Sequence, residues 1–227
     1  MTLTLWNIDH PTYLSKRLNT ISDYLLAQSD DLLILTEANE GLQLPGYRGY
    51  FSAPSPYLRK GRTLRPPNAY RQVAIYSRTA LTQLPVRESI NGVLCRLPLN
   101  DLIYIYGNVI TIKDRWAPWS TMRYSDRLTE QLQAIRSLHG TSFIVCGDFN
   151  FRAGSSYNKS GYTALQDLVH TLGLRWPTAD ETRTVQQIVH SPDLLVTYRV
   201  GEAGGLSDHP PLHLSLRTGG PSPHVNI

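Results

Sequence analysis

Hard oxygen donors recur at the ends of apolar runs in this chain. Asn7 and Asp9 follow Leu3-Thr4-Leu5-Trp6, and Glu37 follows Leu32-Leu33-Ile34-Leu35-Thr36. Asp148 and Asn150 follow Phe143-Ile144-Val145-Cys146-Gly147, and Asp208-His209 precede the run from Leu212 to Leu216. Each pair alone has a structural explanation. Asp148-Phe149-Asn150 reads as an Asx-rich turn, and Asp208-His209-Pro210-Pro211 as a turn into a final strand. Together they point further, because the ends of adjacent strands converge. A cluster of carboxylate and amide oxygens suits Mg²⁺ or Mn²⁺ rather than a soft metal. No Cys/His spacing here matches a zinc site.

The elements that position these residues are legible as apolar patterns. Leu3 to Trp6, Leu32 to Thr36, Phe143 to Gly147, Leu194 to Val200 and Leu212 to Leu216 read as strands. Val73 to Ser77, Gly92 to Leu97 and Leu102 to Ile110 are separated by little but turns, which predicts an antiparallel meander. Leu14, Leu18, Ile21 and Leu25 share one face of an amphipathic helix. A second helix is expected from about Arg123 to His139, with Leu128, Leu132, Ile135 and Leu138 inward, and a third from Tyr162 to Leu172. This mixture predicts one domain over residues 1–218, with a tail at 219–227, and disfavours a purely parallel doubly wound sheet.

Composition narrows the class. The 227 residues are 41% hydrophobic and 18% charged, which excludes global disorder. No apolar run approaches the ~18 residues that span a bilayer. The first residues, Met1 to Trp6, have no basic start and no cleavage pattern, so no signal peptide is expected and the cytoplasm is the default compartment. Cys95 and Cys146 lie in apolar runs and read as reduced, buried side chains. Lys and Arg number 22 against 18 acids, a net charge of +4. Arg59, Lys60, Arg62, Arg65 and Arg71 fall between Tyr57 and Arg71 with no acid among them, and Tyr57 and Tyr70 flank them. Two readings stand: a solvated loop, or a surface for phosphates with aromatics to stack on bases.

Five blocks, in order, resemble the endonuclease/exonuclease/phosphatase superfamily, which includes deoxyribonuclease I, exonuclease III and the abasic-site endonucleases. They are Leu5-Trp6-Asn7-Ile8-Asp9, Leu35-Thr36-Glu37-Ala38-Asn39, Val73-Ala74-Ile75, Cys146-Gly147-Asp148-Phe149-Asn150 and Leu206-Ser207-Asp208-His209-Pro210. The resemblance implies a four-layer α/β sandwich, two mixed β-sheets packed face to face with helices outside. It also implies metal-dependent hydrolysis of a phosphoester. By that resemblance Glu37 binds Mg²⁺ or Mn²⁺, assisted by Asn7, Asp9 and Asp208. Asp148 orients or deprotonates the attacking water, Asn150 holds the nucleophile or a phosphate oxygen, and His209 contacts the scissile phosphate. The chemistry asks for such a set: the metal and His209 neutralise charge in the transition state, and a base stands within reach of the water.

Two departures from the family pattern matter. Relatives carry an Asp that hydrogen-bonds the catalytic histidine, and Gln186 falls at that position here. An amide supplies no charge; Asp193, Asp180 or Glu181 would substitute after a shift of register. Second, Tyr104, Tyr106 and Asn108 share parity near the point where relatives place a His or Tyr, so either Asn108 or Tyr106 faces the phosphate or the tyrosines only pack. The expected function is a nuclease, with nucleic acid gripped by Arg59, Lys60, Arg62 and Arg71 and by Arg115 and Trp116 in Lys113 to Trp119. The alternatives are a phosphatase or phosphodiesterase on a small or lipid-linked phosphate, and a weakly active relative that still binds nucleic acid.

Overall fold

The computed structural model describes residues 1–54, 70–98, 102–110 and 123–219, and the backbone alone at 58–59 and 62–63. Its longer strands fall into two sheets whose central members, among them Leu32–Asn39, Tyr70–Ser77 and Ser142–Asp148, are buried on both faces. The first sheet holds β1 (Thr2–Asn7), β2 (Leu32–Asn39), β3 (Arg48–Phe51), β6 (Tyr70–Ser77), β12 (Leu194–Val200) and β13 (Leu212–Thr218), in the order β12-β13-β1-β2-β6-β3. The second holds β7 (Thr82–Leu84), β8 (Gly92–Arg96), β9 (Ile103–Val109), β10 (Ser142–Asp148) and β11 (Gln186–His190), in the order β11-β10-β9-β8-β7. Short strands β4 (Leu58–Arg59) and β5 (Arg62–Thr63) pair with each other. Both sheets are mixed: β1 runs parallel to β2 and β9 to β10, with antiparallel neighbours on either side.

Alternation sorts the apolar side chains into three cores. Leu3, Leu5, Ile34, Val73 and Ile75 of the first sheet meet Val93, Ile105, Ile144, Cys146 and Ile188 of the second. Leu33, Leu35 and Ala74 turn outward to Leu18, Ile21 and Leu25 of α1 (Lys16–Gln28). Tyr106, Phe143, Val145 and Val189 turn outward to α2 (Tyr124–Arg136) and α3 (Lys159–Leu172) through Leu128, Ile135, Leu165 and Leu168. The result is the four-layer α/β sandwich. The sheets close tightly at Gly107, where a Cβ would stand 2.8 Å from Val73 and 3.3 Å from Ile34 of the facing sheet.

Several sequence expectations change in detail. The three strands expected as one meander are divided between the sheets: β6 pairs with β2 and β3, whereas β8 and β9 pair with each other. A period of two marks a strand but not its partner. Leu14 is outside α1 and 76% exposed, because Ser15 caps the helix by accepting the Leu18 N–H at 3.1 Å. Helix α3 starts three residues earlier than its apolar stripe, at Lys159. Cys95 and Cys146 are free and buried, and burial raises both thiols, that of Cys95 to about 12. No described helix is long and apolar enough to cross a membrane. Lys60, Arg65, Arg115, Trp116 and residues 220–227 lie outside the described residues, as do the side chains of Arg59 and Arg62.

Candidate active site

Two parallel strand pairs, one in each sheet, end side by side. Asn7 closes β1 opposite Thr36 of β2, and Asp148 closes β10 opposite Val109 of β9. Asn7 Nδ2 donates to Asp148 Oδ2 at 2.7 Å, so the two sheets are joined by a buried hydrogen bond at this end. Asn7 Oδ1 accepts the Asp9 N–H at 2.9 Å. Asp148 Oδ1 accepts the Asn150 N–H at 2.8 Å, the Asx turn that the local sequence suggests. The Asn150 amide in turn donates to the Ile110 carbonyl at 2.9 Å.

The ends of these strands and the loops beyond them are held in unusual backbone, Glu37 as a gap in the β2–β6 pairing between Thr36 and Ala38. Asp9, His10, Glu37 and Asn150 all have positive φ, at 46°, 49°, 52° and 53°. Such conformations are uncommon for residues with a Cβ and persist where surrounding bonds determine them. Those bonds are present. The Ile8 N–H donates to Thr36 O at 3.1 Å and the His10 N–H to Glu37 O at 3.0 Å. His10 Nε2 lies 2.7 Å from Glu37 Oε2, and its ring packs on Tyr70 at 4.4 Å between centroids. Arg17 reaches out of α1 to Leu206 O, Ile8 O and Asp9 O at 2.7, 2.8 and 3.0 Å, and to Asp9 Oδ2 at 3.2 Å.

The final loop arrives on the same strand end. Ser207 Oγ donates to Asn7 O at 2.7 Å and accepts the His209 N–H at 3.1 Å. Trp6 Nε1 donates to His209 O at 2.8 Å. His209 Nε2 stands 3.4 Å from Asp208 Oδ1, with the Asp208 side chain largely exposed.

Electrostatics report the crowding of acids. Burial, and next the Asp148 charge, push Glu37 up to about 8; Asp9 and Asp208 add to the rise, and a hydrogen bond from Asn7 opposes it. Burial also raises Asp148, opposed first by His209. Uncompensated negative charge among oxygen donors is the environment that a small divalent cation relieves. Among the described residues no three His, Cys, Asp or Glu side chains close round a common centre. The donors gathered here are carboxylate and amide oxygens, the chemistry that suits a hard ion such as Mg²⁺, which takes one or two carboxylates and keeps several waters.

The structure thus brings Asn7, Asp9, Glu37, Asp148, Asn150, Asp208 and His209 to one end of the sandwich. It does not bring Tyr106 or Asn108 to the Asp148 face. Tyr106 packs in the outer core beneath the helices, and alternation puts Asn108 on that same side, fully buried and with no partner for its amide among the described residues. Arg71 is not a free cation: it pairs with Glu40 at 2.5 Å and is half-buried. Gln186 sits across from Asp148 in the β10–β11 register, yet its Nε2 donates to Pro210 O at 2.7 Å and not to the His209 ring. Its Oε1 is buried without a partner. Glu181 pairs with Arg183, and Asp193 accepts from Ser142, so neither takes the histidine-orienting place. Sequence reasoning missed His10 and Arg17. His10 directly follows Asp9 in the post-strand run and was findable as a second imidazole there; Arg17 carries no signal beyond its place on a helix.

Solved structures share this architecture. The endonuclease domain of TRAS1, a telomere-specific non-LTR retrotransposon, superposes with a TM-score of 0.69 at 16% identity, covering 96% of this chain and 99% of that one. The human Nocturnin catalytic domain with bound sulfate gives 0.66 at 18%, over 96% and 93% of the two chains. The 3′ phosphatase NExo from Neisseria, bound to a product DNA hairpin, gives 0.63 at 17%, over 96% and 99%. At these identities the likeness is one of fold. No curated protein matches the chain in sequence. Residues 4–209 match the model of the Endonuclease/Exonuclease/phosphatase family, and with two mixed sheets meeting at this acidic seam the chain belongs to that superfamily of phosphoester hydrolases.

Proposed function

We propose that this chain is a Mg²⁺- or Mn²⁺-dependent phosphodiesterase that cleaves nucleic acid. The observation that carries the reading is the junction at Asn7 and Asp148, which brings the acids of the first sheet against the base of the second. Glu37 is the principal metal ligand, with Asn7, Asp9 and Asp208 around it. A bound divalent cation supplies neutralisation of charge on the phosphoryl oxygens. Asp148, raised by burial, takes the proton from the attacking water. Asn150 is anchored through one N–H on Ile110 O, which leaves its Oδ1 and second N–H to position that water or a phosphate oxygen. His209 donates to the phosphate as charge accumulates.

A polymeric substrate is favoured by the ground next to the site. Two residues past Asn150, Arg152 opens a cavity of about 570 Å³ that Ser155, Ser156, Lys159 and Tyr162 also line. Arg152 and Lys159 outnumber the one acid of that lining, Asp180, and with the hydroxyls they suit a run of phosphates better than a single one. The deciding experiment incubates plasmid, single-stranded DNA, abasic-site DNA and RNA with Mg²⁺, Mn²⁺ or EDTA, beside a panel of small phosphoesters. The expected result is cleavage of at least one nucleic acid with either metal and none with EDTA. Turnover confined to the small phosphoesters, or undiminished by EDTA, overturns the reading.

A further inference from the structure

His10 touches Glu37 and has no place in the hydrolytic set described above. The contact is short, 2.7 Å from Nε2 to Oε2, and it is reinforced along the backbone by the His10 N–H on Glu37 O at 3.0 Å. The imidazole is largely buried and packs on Tyr70, itself fully buried at the start of β6. To make both contacts the chain holds Asp9, His10 and Glu37 in left-handed backbone, at φ of 46°, 49° and 52°. Three such residues, two in the loop after β1 and one in β2, are a cost that only a dense set of bonds sustains. Nothing about packing asks for a histidine in that arrangement, since an apolar side chain would also cover Tyr70. What the ring adds is a donor aimed at one carboxylate oxygen.

We infer that His10 is a positioning residue for the metal site: its Nε2–H fixes the Glu37 carboxylate so that Oε1 is the oxygen presented to the cation. This rests on the metal reading of Glu37 made above. A carboxylate on a flexible side chain rotates between monodentate and bidentate poses. A donor held to one oxygen removes that freedom and orients the other. Tyr70 and the paired backbone bond supply the rigidity that the donor needs. The proposal concerns geometry and not the charge of the ring.

Two variants separate this from a structural role. His10→Asn keeps a residue that tolerates left-handed backbone, but its amide ends near the position of Nδ1 and falls short of Glu37. His10→Gln carries an amide N–H long enough to replace Nε2–H. Binding of Mn²⁺ to the full chain is followed by loss of the free-ion electron paramagnetic resonance signal, with no substrate present. Thermal unfolding midpoints are measured in EDTA alongside. The expected result is a Mn²⁺ dissociation constant about 10–100-fold weaker in His10→Asn, as for other residues that orient metal ligands, and a recovery of most of that loss in His10→Gln. Unfolding midpoints in EDTA should differ little between the two variants. Wild-type affinity in His10→Asn overturns the role of His10 while leaving the metal site standing. Equal losses in the two variants, tracking a fall in unfolding midpoint, also overturn it in favour of packing. Failure of the wild-type chain to bind Mn²⁺ overturns the metal reading, and this inference with it.

Discussion

Asp148 is buried and Glu37 keeps 28% of its side chain exposed, and their surroundings give them different tasks. Asp148 has both oxygens engaged, by Asn7 and by the Asn150 backbone, so its direction is fixed before substrate arrives. Replacing it with Asn retains the size and removes the base; kcat should fall by about 10²–10⁴-fold with little change in the unfolding midpoint, read by steady-state kinetics and thermal melts. Glu37 is raised first by desolvation and next by its acidic neighbours, so a cation at those acids should stabilise the folded chain. Mg²⁺ is therefore expected to raise the melting temperature of the wild-type protein, and Glu37→Gln to remove most of that rise. An equal Mg²⁺ response in the two proteins would exclude Glu37 as the principal ligand. Gln186 shows why a single position misleads. The sequence puts an amide where relatives have an anion, and the structure uses that amide to hold the Pro210 carbonyl, one residue past His209. Gln186→Leu leaves that carbonyl without its donor and should cost about 1–3 kcal/mol in urea unfolding.

At the scale of elements, the loops are fastened from outside by a helix. Arg17 leaves α1 to bond three carbonyls in two loops, at Ile8, Asp9 and Leu206. Arg17→Ala should lower stability by about 1–3 kcal/mol and depress kcat, because Asp9 and the Ser207–His209 turn lose a shared anchor. Unchanged kcat in that variant would show the loops to be fixed by their own backbone bonds. The groove beyond Asn150 offers a second test. Replacing Arg152 and Lys159 by Ala should weaken nucleic-acid binding and reduce the salt slope by about two counterions, whereas a solvated loop would leave both unchanged. The strands carrying these loops were legible because the apolar runs that lead to Asn7, Glu37 and Asp148 are short and each is bounded by polar residues. Their partners were not, since Val73–Ser77 and Gly92–Leu97 have the same pattern and enter different sheets. The acids and amides of the site were legible as strand-end residues. His10 and Arg17 were not, because their role depends on backbone conformation and on a helix angle that no local spacing encodes.

For the whole molecule, stability and site are one problem. Gly107 lets the sheets approach, and a Val there would drive two methyls into Val73 and Ile34. Overpacking of this kind costs about 1–3 kcal/mol and should also lower activity, since the Asn7–Asp148 bond spans the same gap. Acid stability has a separate source. Arg183 holds the buried Glu181 down at about 2, below its ordinary value. A depressed carboxylate stabilises the fold above its unfolded value near 4.5 and loses that contribution as pH falls towards 2. Arg183→Ala should therefore lower the neutral plateau of a pH–stability curve and flatten its fall between pH 4.5 and about 2, below which the two proteins converge. The order of strands has one more consequence. β13, near the end of the described chain, lies between β1 and β12, and the Asp208–His209 turn comes just before it. A chain still being translated thus carries Glu37 and Asp148 long before it carries His209, and β1 lacks its second neighbour until β13 emerges from the ribosome. On the proposed reading, a chain translated as far as Asp148 holds Asp9, Glu37 and Asp148 of the site and still lacks its histidine, which arrives only with the turn into β13.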